Sequence, residues 1–154
     1  MRVYSVKYGF SQRFSVPARR AYHWCTDYRP YDLSLMKIKG QRSLRKLTDD
    51  TIILNEITYR NERAVKKTKL VRLDRAHLAW SSTHVSGPNR HSQFLYQIAP
   101  LGKRSSKLNF TGLLLCYSET KLSPSKIKQI AKDERRQDAL SWRNLANAMA
   151  EDLR

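Results

Sequence analysis

From Arg2 to Val16 apolar and polar residues alternate. Tyr4, Val6, Tyr8, Phe10, Phe14 and Val16 fall on one face, and Ser5, Lys7, Gly9, Ser11, Arg13 and Ser15 on the other. Period two over that length predicts a long antiparallel strand with one buried face. Pro17 then presets φ for a first helical turn, so Ala18 to Asp27 reads as a short helix. Arg29-Pro30 interrupts it, and Tyr31 to Met36 forms a second short helical segment.

After Gly40 the pattern turns to strands separated by turn signals. They cover Gln41 to Leu47, Ile52 to Tyr59, Ala64 to Leu73, His77 to His84, Gln93 to Ile98 and Lys107 to Tyr117. Asp49-Asp50, Arg60-Asn61-Glu62, Gly87-Pro88-Asn89 and Leu101-Gly102-Lys103 supply the turns. Ser123-Pro124, with Ser at the N-cap and Pro at the first helical position, opens a helix that runs to the end of the chain. Ile127, Ile130, Ala131, Trp142, Leu145, Met149 and Leu153 share one of its faces. An antiparallel sheet needs one face covered, and this stripe matches it. The expected architecture is α+β: a curved antiparallel sheet of about seven strands wrapped on a long C-terminal helix, with two short helices after the first strand.

The length of 154 residues suits a single domain over residues 1–154, and a 40% hydrophobic content is globular. The longest apolar run is Leu113 to Tyr117, far short of a membrane span. The N-terminus has no apolar block and no small-residue cleavage site, which predicts a cytoplasmic protein. Cys25 and Cys116 form no CxxC pair and read as small buried apolar residues.

Charge changes the picture. Thirty Lys and Arg stand against 13 acids, a formal net charge of +17. Self-repulsion at that charge favours a polyanionic partner. The cations are spread over the body. One acid-free stretch carries Lys37, Lys39, Arg42, Arg45 and Lys46. Arg60, Arg63, Lys66, Lys67, Lys69, Arg72 and Arg75 follow, opposed only by Glu62 and Asp74. Lys103, Arg104 and Lys107 lie in a second acid-free stretch, and Lys128, Lys132 and Arg136 line one face of the last helix. In a regular strand from Ala64 to Leu73, Lys66 and Arg72 face one way and Lys67 and Lys69 the other. A packed sheet does not bury lysines on its core face. The strand is therefore expected to start on a basic hairpin that projects beyond the body.

Short motifs point to a family. Val16-Pro17-Ala18 before Ala21-Tyr22 and Thr26-Asp27-Tyr28 resembles the first strand-to-helix junction of the START/SRPBCC (helix-grip) superfamily, in its small archaeal members. Gly87-Pro88 before Ser92 to Tyr96 resembles their middle hairpin, and Thr111-Gly112 with Asp138 to Trp142 their last strand and helix. The resemblance covers nearly the whole chain. It implies a cavity between sheet and helix that relatives use for lipids, polyketides or other apolar ligands. It carries no single activity.

Under that reading the cavity is lined by Trp80, Phe94, Tyr96, Phe110 and Trp142, with Glu134 and Asp138 as polar groups. Both carboxylates fall in the apolar stripe of the last helix. They are either neutralised by inward-pointing arginines or form a polar site on a ligand. Trp24, Trp80 and Trp142 either stack on bases or line the interior. His77, His84 and His91, spaced by seven, alternate faces in a strand and form no ligand cluster. No Ser-His-Asp set, phosphate-cradling Gly loop or HExxH is present, so neither a catalytic set nor a metal nor a cofactor is implied.

Two functions remain from different classes. Whole-body charge points to a non-enzymatic, RNA-binding structural protein of the ribosome. Its partners would be ribosomal RNA of the large subunit and neighbouring ribosomal proteins, held through the cations named above. The family resemblance points instead to an apolar small-molecule or lipid binder, or a cyclase-like protein. Docking on an anionic membrane is a third idea, without an amphipathic docking helix to support it.

Overall fold

The computed structural model describes residues 1–153. The first strand, β1, spans Arg2–Phe14, followed by α1 (Ala18–Cys25) and α2 (Asp32–Leu35). Six more strands follow: β2 (Gly40–Thr48), β3 (Thr51–Arg60), β4 (Arg63–Asp74), β5 (Ala79–Ser86), β6 (Gln93–Pro100) and β7 (Ser106–Ser118). The last helix, α3, spans Pro124–Asp152, with the Ser123 side chain accepting from the Lys126 amide as its cap. The seven strands form one antiparallel sheet in the order β1-β7-β6-β5-β4-β3-β2. This is the expected α+β helix-grip architecture.

Alternation explains the burial of β1. Val6, Tyr8 and Phe14 are buried while Ser5, Lys7 and Gly9 are exposed. The strand pairs with β7 without a break from Arg2↔Ser118 to Phe14↔Ser106. The core divides into two clusters. One gathers Tyr22, Trp24, Leu54, Val71, Trp80, Leu108, Leu145 and Met149 around the ends of α1 and α3. The other holds Val6, Tyr8, Phe94, Phe110 and Leu114, with Ile127 and Ile130 of α3 against it. Each fully buried side chain such as Leu54 or Leu108 contributes roughly 1.5–3 kcal/mol. Trp24 Nε1 donates to Asp152 Oδ2 at 2.9 Å and ties α1 to the end of α3.

The helix lies close to β1 and touches α2, so the opposite half of the sheet's concave face is left uncovered. One expectation changes. β4 is paired with β3 from Arg63↔Arg60 to Arg72↔Thr51 but with β5 only from Thr68, so Arg63 to Lys67 extend past β5, yet two lysines of this strand line the cavity rather than a free arm. The alternation was right, and Lys67 and Lys69 do point inward. What they face is an open cavity, where Lys69 pairs with Glu56 and Lys67 is left without an ion pair among the described residues.

Candidate functional site

Between the two core clusters lies a cavity of about 680 Å³. Its floor is aromatic. Trp80 of β5 and Tyr96 of β6 stand side by side, their rings parallel within 2° and 4.7 Å apart. Trp142 of α3 leans on both, at 6.3 and 5.8 Å. Phe110 meets Tyr96 edge-on at 5.1 Å and stacks on Phe94 at 6.0 Å. Period two puts these side chains on one face of three neighbouring strands, and offset or edge contacts between rings are favourable geometries. All seven side chains expected from the family resemblance, including Glu134 and Asp138, line this one cavity.

The sheet side of the wall is charged. Arg42 of β2, Glu56 of β3 and Lys67 of β4 are direct neighbours across the ladders, with Lys69 one step along. Glu56 is only 4% exposed, on the same face of β3 as Ile52 and Leu54. It accepts from Arg42 Nε and pairs with Arg42 Nη2, both at 2.7 Å, and pairs with Lys69 Nζ at 2.5 Å. Burial alone would raise the pKa of Glu56; Lys69 and Arg42 outweigh it and hold the group down at about 2. Arg42 also reaches the buried Asp32 at 3.4 Å. Burial and the charge of Asp27 push Asp32 up to about 6 against the pull of Arg42.

His84 of β5 sits beside Lys69 in the ladder and is 6% exposed. A register shift at Thr68/Lys69 leaves Val85 as the extra residue of β5, a bulge that bends the strand just beyond His84. The imidazole Nδ1 is buried without a hydrogen-bond partner. Burial, reinforced by Lys69 and Lys67, lowers its pKa to about 3, so the ring is neutral at neutral pH.

The helix side carries the carboxylates. Asp138 accepts a hydrogen bond from the Tyr8 hydroxyl across the gap between α3 and β1. Burial raises the pKa of Asp138 to about 6; Tyr8 pulls the other way and Glu134 adds to the rise. Among the described residues neither Glu134 nor Asp138 is in an ion pair, so the expected arginine partners are not there. Both stand on the polar-site alternative.

The cations named for RNA divide three ways. Arg42, Lys67 and Lys69 line the cavity interior. Lys37 and Arg60 are exposed side chains on its lining. The others are scattered. Lys39, Arg45 and Lys46 precede or occupy the edge strand β2, where charge protects an open edge from pairing. Arg63, Lys66 and Arg72 lie exposed along β4, and Arg75 pairs with Asp50 at 2.9 Å. Lys103, Arg104 and Lys107 lie at the turn into β7, and Lys128, Lys132 and Arg136 on the exposed face of α3.

Sequence reasoning missed Glu56, His84 and Tyr8 as site residues. Glu56 had a signal, an acid in phase with Ile52 and Leu54. His84 shares the parity of Trp80 within one strand. Among the described residues no group of His, Cys, Asp and Glu could hold a metal ion, and no helix is long and apolar enough to cross a membrane.

A sheet gripping one helix around an open, aromatic-floored cavity is the expected helix-grip fold. Three solved structures share it over nearly their whole lengths. The Zhui aromatase/cyclase from Streptomyces sp. R1128 superimposes with a TM-score of 0.82 at 11% identity, covering 98% of this chain and 97% of that one. A START superfamily protein from Mycobacterium smegmatis gives 0.73 at 14% identity, covering 97% and 99%. Norcoclaurine synthase from Thalictrum flavum, in complex with dopamine and hydroxybenzaldehyde, gives 0.71 at 11% identity, covering 97% and 88%. No family model and no curated protein matches the sequence.

These findings overturn the ribosomal expectation. The chain's structural relatives are a cyclase, a synthase and a START protein, and three of the cations assigned to ribosomal RNA are inside the cavity. Ribosomal RNA and ribosomal proteins are not supported as partners. The expectation of a non-enzyme is not supported either, because two of the three relatives are named for catalysis.

Proposed function

We propose that this protein binds an aromatic small molecule in the cavity between sheet and helix. The observation that carries this reading is the parallel Trp80–Tyr96 pair flanked by Trp142 and Phe110, set in a volume of about 680 Å³. That size and mixture, mainly apolar with a few placed polar groups, is what small-molecule sites use. A flat ring would lie against Trp142, Tyr96 and Phe110 while its polar substituents meet the charged wall.

The test is fluorescence titration with N-phenyl-1-naphthylamine, a neutral aromatic probe. Saturable 1:1 binding is expected. Ser141→Phe fills the space between α3 and the sheet and should abolish binding while leaving the circular dichroism spectrum unchanged. A wild-type protein that does not bind the probe, or a folded Ser141→Phe variant that binds it normally, would sink the proposal.

One observation favours a further, catalytic reading of the same site. Asp138, with its pKa near 6 and its hydrogen bond to Tyr8, exchanges a proton close to neutrality beside the aromatic floor. Native mass spectrometry of protein purified from its own cells would identify the bound compound. Turnover of that compound, lost in Asp138→Asn with binding retained, is the expected result. Unchanged turnover in the variant would remove Asp138 from the chemistry.

A further inference from the structure

The charged wall holds one cation too many. Arg42 is committed to Glu56 and Asp32, and Lys69 to Glu56. Lys67 is half-buried on the same wall and, among the described residues, is in no ion pair and no hydrogen bond. Its placement is built in. Gly87, at φ +105°, closes over its stem: a Cβ there would meet the Lys66 carbonyl oxygen at 2.9 Å and Lys67 Cγ at 3.0 Å. A side chain at position 87 would have to displace Lys67 or the backbone beside it. Burial, and then the charges of Lys69 and Arg60, already disfavour its ammonium form. An unpaired, partly desolvated ammonium is costly in an apoprotein and is relieved by an anion.

Glu134 and Asp138 face the same space from α3 and do not reach Lys67, so the cavity itself separates the two walls. A ligand has to span them. Lys37 and Arg60 add positive charge on the exposed lining, which raises the local concentration of anions. Resting on the cavity-binding reading above, we infer that the ligand is an aromatic acid, its ring against Tyr96, Trp142 and Phe110 and its carboxylate paired with Lys67. Asp138 and Glu134 then accept from a hydroxyl or amine at the far end of the same molecule. The positive charge of the cavity thereby has a partner of small-molecule size.

The test compares three ligands of one shape by calorimetry at pH 7.5: 2-naphthoate, the neutral 2-naphthamide and the cationic 2-naphthylmethylamine. The carboxylate is expected to bind roughly tenfold or more tighter than the amide, since charge-assisted pairs are the strong ones. Lys67→Met should remove that preference and leave the amide affinity and the melting temperature as they were. Lys67→Arg should keep it. Equal affinity for carboxylate and amide, tightest binding of the amine, or a carboxylate preference that survives Lys67→Met would each overturn the inference while cavity binding stands. If none of the three binds, the cavity reading falls and the acid site with it.

Discussion

The Tyr8 hydroxyl, on the first strand, donates a 2.5 Å hydrogen bond to Oδ2 of Asp138, on the last helix. It is a side-chain tie between the two elements that enclose the near side of the cavity. It also stabilises the ionised form of a carboxylate that burial holds at about 6. A carboxylate with a raised pKa contributes stability that is present below its ordinary value and is lost as pH rises through 6. Tyr8 reduces that loss.

Tyr8→Phe is therefore expected to raise the pKa of Asp138 further. At pH 7.5, where the carboxylate is charged and would have lost its donor, the cost should be about 1–2 kcal/mol. At pH 5 the carboxylate is mostly protonated and the cost should be smaller. Urea unfolding at the two pH values measures this. An equal loss at both would show that the bond is not linked to the charge of Asp138.

Glu56 pairs with two cations at once. Glu56→Gln leaves Arg42 and Lys69 facing each other inside the wall and should destabilise the fold by about 3 kcal/mol, the cost of breaking a buried pair from one side. Glu56 titrates near 2 in the folded protein, well below its ordinary value. Its contribution is thus present above about pH 4.5 and lost as pH falls toward 2. Acid unfolding of the variant should lack this component. A variant as stable as the parent at pH 7 would mean that water in the cavity screens the cluster.

His84 works in the opposite direction from Asp32 and Asp138. Its folded pKa of about 3 lies below the ordinary value, so between pH 6.5 and 3 the unfolded chain binds a proton that the folded one does not. Stability should fall as pH drops through that window. His84→Leu should remove the slope and leave the two carboxylates, whose pKa values of about 6 favour the folded state on acidification. Thermal melts from pH 7 to 4 would show it; an unchanged slope in the variant would assign acid sensitivity elsewhere.

Gly112 lets the Tyr8 ring lie against β7. A Cβ at this position would meet Tyr8 Cε1 at 2.8 Å and Cζ at 2.9 Å, with Phe110 Cε1 at 3.2 Å. Gly112→Ala is expected to cost about 1–3 kcal/mol through overpacking. It should also swing the hydroxyl off Asp138, so a carbon-detected NMR titration should find the Asp138 pKa raised as in Tyr8→Phe. A shift in stability without a shift in that pKa would mean that the ring moves as a whole and keeps its bond.

Element order was legible because each element carries its own period. Tyr4 to Val16 reads as a strand without any partner, and Ser123-Pro124 announces the long helix. The aromatic floor was legible for the same reason: Trp80, Phe94, Tyr96 and Phe110 have the parity of buried strand positions. The charged wall was not. Arg42, Glu56 and Lys67 come from three strands, and only the ladder registers bring them side by side. Reading each strand alone, inward lysines implied a hairpin outside the body. Inward lysines are equally what the wall of a wet cavity requires, and only the gap between α3 and the far half of the sheet decides between the two. Charge summed over the chain has no direction, which is why +17 suggested a surface when part of it is interior.

The long ladder between the first and seventh strands sets the order in which this domain can be completed. Arg2 waits for Ser118 and Phe14 for Ser106, so the first strand is synthesised long before its only partner strand exists. Until then its apolar face and its backbone edges lack their native partners, and closing the sheet needs contacts between distant parts of the chain, which are slow to form. Val6, Tyr8 and Phe10 are therefore exposed to wrong partners during synthesis. A nascent chain arrested before residue 106 should bind holdase chaperones and resist folding, however stable the finished domain is.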